Sequence, residues 1–173
     1  ETGNLDIVKL LVKKGAKIEE TEGTLLRSPL FYTVLKPKAD PDKEKKLAEI
    51  AAYLIEEGKK EITVERKHPF KKDKDNQPLK EKVKVKKIDI EYYDYDGWTV
   101  LTLAAMNGHT EVVKTLLEKG AMVNRKEKKF GRTALIYSRT GSYSDIEKML
   151  KDAGAKEGLD HDADEDAKKE QKS

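Results

Sequence analysis

Residues 96–124 read DGWTVLTLAAMNGHTEVVKTLLEKGAMVN, two apolar runs that are separated at Gly108 and followed by Gly120. Thr99 opens the first run and is a good helix N-cap, because its hydroxyl can accept a backbone N–H of the first turn. The second run carries apolar residues at helical spacing and stops at Gly120, which can adopt the left-handed conformation that ends a helix. The stretch therefore predicts a short helix, a tight turn and a longer helix.

Comparison of the chain with itself reveals three further copies of the longer helix. Four segments align on a terminal glycine, and each begins with an acidic residue, which suits the positive end of a helix dipole. They are residues 6–15, 49–58, 111–120 and 145–154, ending at Gly15, Gly58, Gly120 and Gly154. One such segment would be an ordinary amphipathic helix, but four in register indicate a repeat.

A shorter element precedes three of these helices and opens with Ser or Thr each time. These elements are residues 28–34, 99–105 and 133–139. The spacing from Gly97 to Gly131 is 34 residues, as is the spacing from Gly120 to Gly154. The repeating unit is thus a turn, a short helix, a loop, a longer helix and a glycine stop.

Residues 96–124 resemble a nearly complete ankyrin repeat, and residues 3–16 resemble the second half of another. The resemblance covers about 1–35, 47–62 and 94–156, and it implies an all-α repeat solenoid of helix-turn-helix units over residues 1–157. The T-P-L-H signature of the family reads SPLF at 28–31, TVLT at 99–102 and TALI at 133–136. The signature histidine is replaced each time, so its usual hydrogen bonds are not expected.

The two ends of the predicted array differ. The last long helix has Glu147 and Lys151 where the other copies are apolar, which predicts a polar outer face that caps the stack. Residues 1–18 contain a long helix with no short helix before it. Either the chain was cut from a longer protein, the favoured interpretation, or a half repeat opens the stack. The polar tail, residues 158–173, is predicted to be disordered or frayed.

Two insertions interrupt the repeat. About nine residues are added around 36–46, and their prolines and charges predict a solvated loop that leads into an extended helix. About 28 residues are added between Gly58 and Thr99, where apolar residues alternate as in a half-buried strand. They are Ile62 and Val64 on the way out, then Val83, Val85, Ile88 and Ile90 on the return. Turn-forming residues lie between them at 71–78, so a long β-hairpin is predicted over about 62–92.

The inserted hairpin is basic. Residues 59–87 contain twelve Lys or Arg and five Asp or Glu, a net charge of +7, although the whole chain carries only +3. One interpretation is an anionic partner: an acidic protein surface, a phospholipid headgroup layer or nucleic acid. The other is that lysines merely protect the strand edges from pairing with other chains. Apart from Phe70 the segment lacks aromatic residues, which disfavours single-stranded nucleic acid.

The sequence contains few residues that suggest catalysis or metal binding. There is no cysteine, and the three histidines have no partner at metal-ligand spacing on a shared helix. By resemblance, His109 belongs to a structural Gly-His turn. The alternating acids of 160–166 lack the glycine and terminal glutamate of a calcium-binding EF-hand loop. We therefore expect no catalytic site, metal, cofactor or small-molecule substrate.

The fold suggests a protein-protein interaction module that binds through the concave face and the fingers, the loops that join the repeats. The candidate contact residues are Tyr95, Trp98, Thr102, Met106, Arg132, Ile136, Lys71, Lys72 and Lys74. Exposed aromatic residues favour an interface role for Trp98, but its ring could instead pack against the base of the hairpin.

Two alternative functions remain open at the level of sequence. The first is electrostatic docking to a membrane surface or nucleic acid through the basic segment 59–87. The second is a purely architectural segment of a longer array. We expect a monomer, and the absence of a signal sequence or of an apolar run of about 18 residues slightly favours the cytoplasm.

Overall fold

The computed structural model describes residues 4–18, 27–37, 40–59, 61–72, 78–86 and 89–156, with the backbone alone for 61–72 and 78–86. The predicted tail, the turn at 73–77 with Lys74, and His161 lie outside the described residues.

Within the described residues, six α-helices and one short 3₁₀ helix form two layers. The outer layer contains α1 (Leu5–Lys13), α2 (Pro41–Gly58), α4 (Thr110–Glu118) and α6 (Ser144–Asp152), in which each helix packs against the next. The inner layer contains the 3₁₀ helix (Phe31–Thr33), α3 (Val100–Asn107) and α5 (Ala134–Thr140). Each inner helix also packs against the outer helix that follows it. This arrangement is the helical repeat stack that the sequence predicts.

One continuous apolar core runs between the two layers. Its most deeply buried members come from the second, third and fourth repeats and are Leu30, Phe31, Val34, Ala51, Val100, Ala104, Ala105, Val112, Val113, Leu116, Ala134, Leu135, Ile146 and Leu150. Ala104 and Ala105 have no exposed surface, and their small side chains allow α3 to lie close to both neighbours. Each repeat therefore buries the apolar surface of the next.

The short helix predicted over 28–34 is wrong in extent, because this segment contains only one 3₁₀ turn. Its backbone bonds span three residues, as in the bond from the Thr33 N–H to the Leu30 carbonyl at 3.2 Å. Pro37 disfavours the α conformation at Lys36, so the chain cannot resume a helix directly after this turn. The third repeat holds the loop instead: Asn107 Nδ2 donates to the Val34 carbonyl at 2.7 Å.

His109 has the structural role that the sequence indicates. The side chain is buried, and Nε2 lies 2.6 Å from the Lys36 carbonyl oxygen. Because a carbonyl oxygen can only accept, Nε2 carries the proton in this bond. The imidazole thus ties the turn before α4 to the loop of the preceding repeat.

The loop predicted over 36–46 is shorter than expected, because α2 already begins at Pro41. Asp40 caps the helix by accepting the Lys43 N–H at 2.9 Å, and proline is favoured at the first helical position. The additional turns place the buried Glu44 at the start of α4, where it accepts the Glu111 N–H at 3.1 Å. The added residues therefore cap a helix of the next repeat.

Three of the four predicted glycine stops adopt the left-handed conformation. Gly15, Gly120 and Gly154 have φ values of 91°, 89° and 89°. Gly58 is the exception, because it is the last residue of α2 and the Lys59 N–H still donates to the Ile55 carbonyl at 3.0 Å. At this position the chain runs on toward the inserted strand instead of reversing.

Two antiparallel strands, β1 (Glu61–Lys72) and β2 (Pro78–Lys86), lie within the inserted segment. Ile62 is opposite Val85 and Val64 is opposite Val83, with an irregularity in the register between Lys67 and Lys72.

The return strand is shorter than the predicted range to residue 92. Residues 89–92 form a turn, closed by the Tyr92 N–H and the Asp89 carbonyl at 3.1 Å. The Asp89 side chain also accepts the Glu91 N–H at 2.9 Å, a local bond that competes with strand pairing. Ile90, predicted as a strand residue, packs against the core of the stack.

The outward faces of the first and last described helices differ in polarity. On α6, Glu147 accepts from Lys151 Nζ and from Arg139 Nε, both at 2.9 Å. On α1, apolar side chains face solvent: Ile7 is 51% exposed and Leu11 is 54% exposed. In the repeat alignment, these two residues are equivalent to Val112 and Leu116 of α4, which are fully buried.

Candidate partner-binding surface

The finger of the third repeat, residues 94–98, is closed by a buried carboxylate. Asp94 accepts the Trp98 N–H at 2.9 Å, and its own N–H donates to the Trp98 carbonyl at 3.0 Å. Arg27, from the segment before the second repeat, lies 2.9 Å from the other oxygen of Asp94. The finger is therefore fixed from within and tied to the preceding repeat.

The finger of the fourth repeat, residues 127–132, is built around Glu127, which is 1% exposed. Its carboxylate accepts the N–H groups of Lys129 at 2.6 Å, Phe130 at 2.8 Å and Arg132 at 3.0 Å. The Glu127 N–H donates to the Arg132 carbonyl at 2.9 Å. Several N–H donors around one carboxylate hold this loop in a single conformation.

The two fingers lie in contact. The Lys128 N–H donates to the Gly97 carbonyl, and the Tyr93 hydroxyl donates to the Lys126 carbonyl, both at 3.0 Å. Gly97 has a φ of 83°, and a Cβ there would lie 2.6 Å from the Cβ of Lys128. Only glycine meets both conditions, so the approach of the fingers depends on this residue.

Glu91 joins the start of the third-repeat finger to the loop after α4. Its carboxylate accepts the Met122 N–H at 2.8 Å and lies 3.5 Å from Arg125 Nε. Burial raises the pKa of Glu91, while the bond from Met122 and the charge of Arg125 oppose that rise. These contacts of Glu91 hold the start of the third-repeat finger against residues 122–125, which lead into the fourth-repeat finger.

Cations lie against aromatic rings on the solvent side of the fingers. The Tyr93 ring centroid is 4.5 Å from the Arg125 guanidinium and 4.4 Å from Lys128 Nζ. Phe130 has Lys129 at 5.2 Å and Arg132 at 5.3 Å. These distances are within the range of cation–π attraction. Tyr95 and Phe130 are 71% and 55% exposed, so the surface presents both charge and aromatic area.

Trp98 is half-buried against the next repeat. Its ring centroid lies 5.0 Å from that of Tyr137 on α5, with the planes tilted by 54°. The Trp98 side chain therefore joins the third-repeat finger to α5, and only part of its ring is available to a partner. Burial of Tyr137 in this region raises its pKa to about 12, and the negative charge of Glu127 adds to the rise.

A family model described as ankyrin repeats, in three copies, matches residues 71–161, or 91 of the 173 residues. The chain belongs to the ankyrin-repeat family.

Curated relatives each match about two fifths of the chain. The NF-kappa-B inhibitor cactus of Drosophila yakuba is 36% identical over 72 residues, which are 42% of this chain and 15% of the relative. The Drosophila melanogaster cactus protein is also 36% identical over 72 residues, 14% of its length. Human transient receptor potential cation channel subfamily A member 1 is 41% identical over 71 residues, 40% of this chain and 6% of the channel. The matched segment is thus a small part of each relative.

The predicted contact residues of this ankyrin-repeat chain occupy different environments. Tyr95 and Arg132 are exposed on the fingers, whereas Met106 on α3 and Ile136 on α5 are half-buried. Lys71 and Lys72 end β1, where only the backbone is described, and Lys74 lies outside the described residues.

Thr102 is not available to a partner, which corrects its assignment as a contact residue. It has no exposed surface and forms a capping box with Thr99 at the start of α3. The Thr102 N–H donates to Thr99 Oγ1, and the Thr99 N–H donates to Thr102 Oγ1, both at 3.1 Å. In this repeat Thr102 occupies the position of the ankyrin signature histidine and supplies a polar atom there.

Sequence reasoning missed the residues that organise the fingers: Arg27, Asp94, Glu127, Arg125, Lys128, Lys129 and Phe130. A signal was present in RKEKKFGR at 125–132, where five of eight residues are basic. The distance from Asp94 to Thr99 is five residues, whereas from Glu127 to Thr133 it is six. That difference in spacing marks the longer fourth-repeat finger.

The described residues contain no group of three His, Asp or Glu that could hold a metal ion. None of the described helices is long and apolar enough to span a membrane.

Proposed function

We propose that this chain is a non-catalytic protein-protein interaction module, which binds its partner through the two fingers and the adjoining face of α3 and α5. The observation that supports this most strongly is the exposed aromatic area of Tyr95 and Phe130 on turns that buried carboxylates hold fixed. Aromatic side chains on an ordered surface are favourable anchors, because little flexibility is lost when a partner binds.

The relatives support a role in protein recognition. Cactus is described as an inhibitor of NF-kappa-B, so one protein with similar repeats is named for its action on another. The similarity covers only 15% of that protein, and shared repeats do not transfer a particular partner. The proposal is therefore a protein partner whose identity is open.

Site-specific photo-crosslinking tests this proposal. A photoreactive phenylalanine analogue replaces Tyr95 in one variant and the exposed Lys114, on the outer helix α4, in a matched control. After irradiation in a cell extract, we expect a discrete crosslinked protein from the Tyr95 position and none from the Lys114 position. Equal labelling at the two positions, or none at either, would contradict the proposal.

A second candidate is electrostatic docking through the basic segment 59–87, favoured by its net charge of +7. Binding of this kind weakens steeply as salt is raised, because counterions compete for the charged surface. Sedimentation with phosphatidylserine vesicles at low and high salt tests it. Binding that is salt-sensitive, and lost when the hairpin is removed, would support this candidate, and binding that is absent in low salt would contradict it.

A further inference from the structure

The solvent side of the fourth-repeat finger carries three cations, Lys128, Lys129 and Arg132. Among the described residues, none of them forms an ion pair with a carboxylate, and their contacts are instead with the Tyr93 and Phe130 rings and with Tyr137. An aromatic ring attracts a cation without neutralising its charge. These three side chains thus remain able to pair with carboxylates of another molecule.

The one acidic residue of the finger does not offset this charge at the surface. Glu127 is 1% exposed, and its carboxylate is turned inward, where it accepts three N–H groups of its own loop. The fold therefore separates the charges of this segment, with the carboxylate buried and the cations exposed.

The acids of the neighbouring finger are already paired. Asp94 and Asp96 lie 2.9 Å and 3.4 Å from Arg27. Glu91 pairs with Arg125 and accepts the Met122 N–H. Because Asp94 and Asp96 share one arginine, a single negative charge of this finger remains against the three cations of the fourth-repeat finger.

We propose that Lys128, Lys129, Phe130 and Arg132, here called the basic fingertip, bind an acidic segment of a partner protein that also carries apolar side chains. The inference rests on the proposed function and specifies the chemistry of the partner. Carboxylates would pair with the three cations, and apolar side chains would cover Phe130, which is 55% exposed, and Tyr95 on the adjoining finger. Charge complementarity of this kind speeds encounter and selects the partner.

A protein segment fits this surface better than single-stranded nucleic acid. The two rings beside the fingertip cations, the half-buried Tyr93 and the exposed Phe130, each already have two cations against them. Binding of single strands relies on open aromatic faces. Carboxylates need only the cations, which belong to exposed residues.

Fluorescence anisotropy with a labelled peptide of alternating glutamate and leucine tests the inference. We compare the full chain with two double variants, Lys128→Glu with Lys129→Glu, and Lys114→Glu with Lys148→Glu. Both pairs are exposed and change the net charge equally, but the second pair lies on the outer helices. The fingertip variant should raise the Kd at least about tenfold, and the outer-helix variant should change it much less. Circular dichroism checks that both variants fold.

Several outcomes would overturn the inference. They are no binding of the glutamate peptide, equal binding of the same peptide with glutamine, and an equal loss in both double variants. Tighter fingertip-dependent binding of oligothymidine or of phosphatidylserine vesicles would also overturn it. If Tyr95 crosslinks to a protein while the acidic peptide does not bind, the proposed function stands and this inference fails. Peptide binding without any crosslink would instead count against the proposed function alone.

Discussion

Asp94 and Glu127 close equivalent fingers with the same pair of hydrogen bonds, one from the backbone and one to the side chain. Each donates its N–H to the carbonyl of a residue at the end of its finger, Trp98 or Arg132, and accepts that residue's N–H with its carboxylate. The loop closed by Glu127 is one residue longer, and its side chain is one methylene longer. The side chain therefore lengthens together with the loop, and the closing bonds are kept.

This relationship predicts that two damaging changes compensate each other. Glu127→Asp should shorten the carboxylate so that it no longer reaches the longer loop, at a cost of about 1–3 kcal/mol in the free energy of unfolding. Deleting Phe130 should cost a similar amount, because the loop no longer matches Glu127. The two changes together recreate the spacing of the Asp94 finger. Urea denaturation should show the combined variant to be more stable than either single variant.

The control for this double-mutant cycle is the sum of the two changes in the free energy of unfolding that the single variants show. Residues whose contributions are independent give changes in free energy that simply sum. A combined variant as unstable as that sum would show that the match between side chain and loop is coincidental.

The capping residues of α3 and α5 give a second prediction. Thr99 and Thr102 bond to each other in the third repeat, whereas in the fourth repeat Thr133 Oγ1 is buried and has no hydrogen-bond partner. Ile136 there occupies the position of Thr102. Thr102→Val should destabilise the chain by about 1 kcal/mol, and Ile136→Thr should stabilise it by up to about 1 kcal/mol. Thermal unfolding measures both, and a lower Tm for Ile136→Thr would show that the added hydroxyl does not bond to Thr133.

The repeat architecture could be predicted from sequence because it depends on periodic local signals. The 34-residue spacing of glycines, and three of the four left-handed stops, follow from steric rules that act within a few residues. Where the chain departs from the repeat, contacts with the next repeat decide the outcome. The single 3₁₀ turn at 31–33 and the early start of α2 at Pro41 are both held by groups of the third repeat.

The binding surface was harder to predict, because burial reverses the role of individual residues. Thr102 occupies a position that suggested a contact residue, but it points into the capping box. In a linear sequence Glu127 reduces the positive charge of 125–132, whereas in the fold its carboxylate is buried. Local charge counts cannot distinguish these cases without knowing which atoms the loop encloses.

The outer helices offer a matched test of what the neighbouring helix contributes to stability. Leu11 on α1 and Leu116 on α4 occupy the same repeat position, but the first is 54% exposed and the second is fully buried. Leu116→Ala should cost about 2–5 kcal/mol, since it opens a cavity in the core. Leu11→Ala should cost less than about 1 kcal/mol, since solvent already contacts the side chain. Comparable losses in urea denaturation would show that the face of α1 is covered in solution.

The last prediction concerns the boundary between the hairpin and the stack. Because Glu61 lies opposite Lys86, a short glycine-serine linker can replace residues 61–86 and should leave cooperative unfolding intact. Extending the excision to residue 92 should lower the Tm clearly. It removes Ile90 from the core, as well as the carboxylate of Glu91 that binds the Met122 N–H. If the two excision variants have the same Tm when their linkers are of the same length, residues 89–92 contribute no stability to the helical stack. Loss of cooperativity in the shorter excision would instead make the strands part of the folded core.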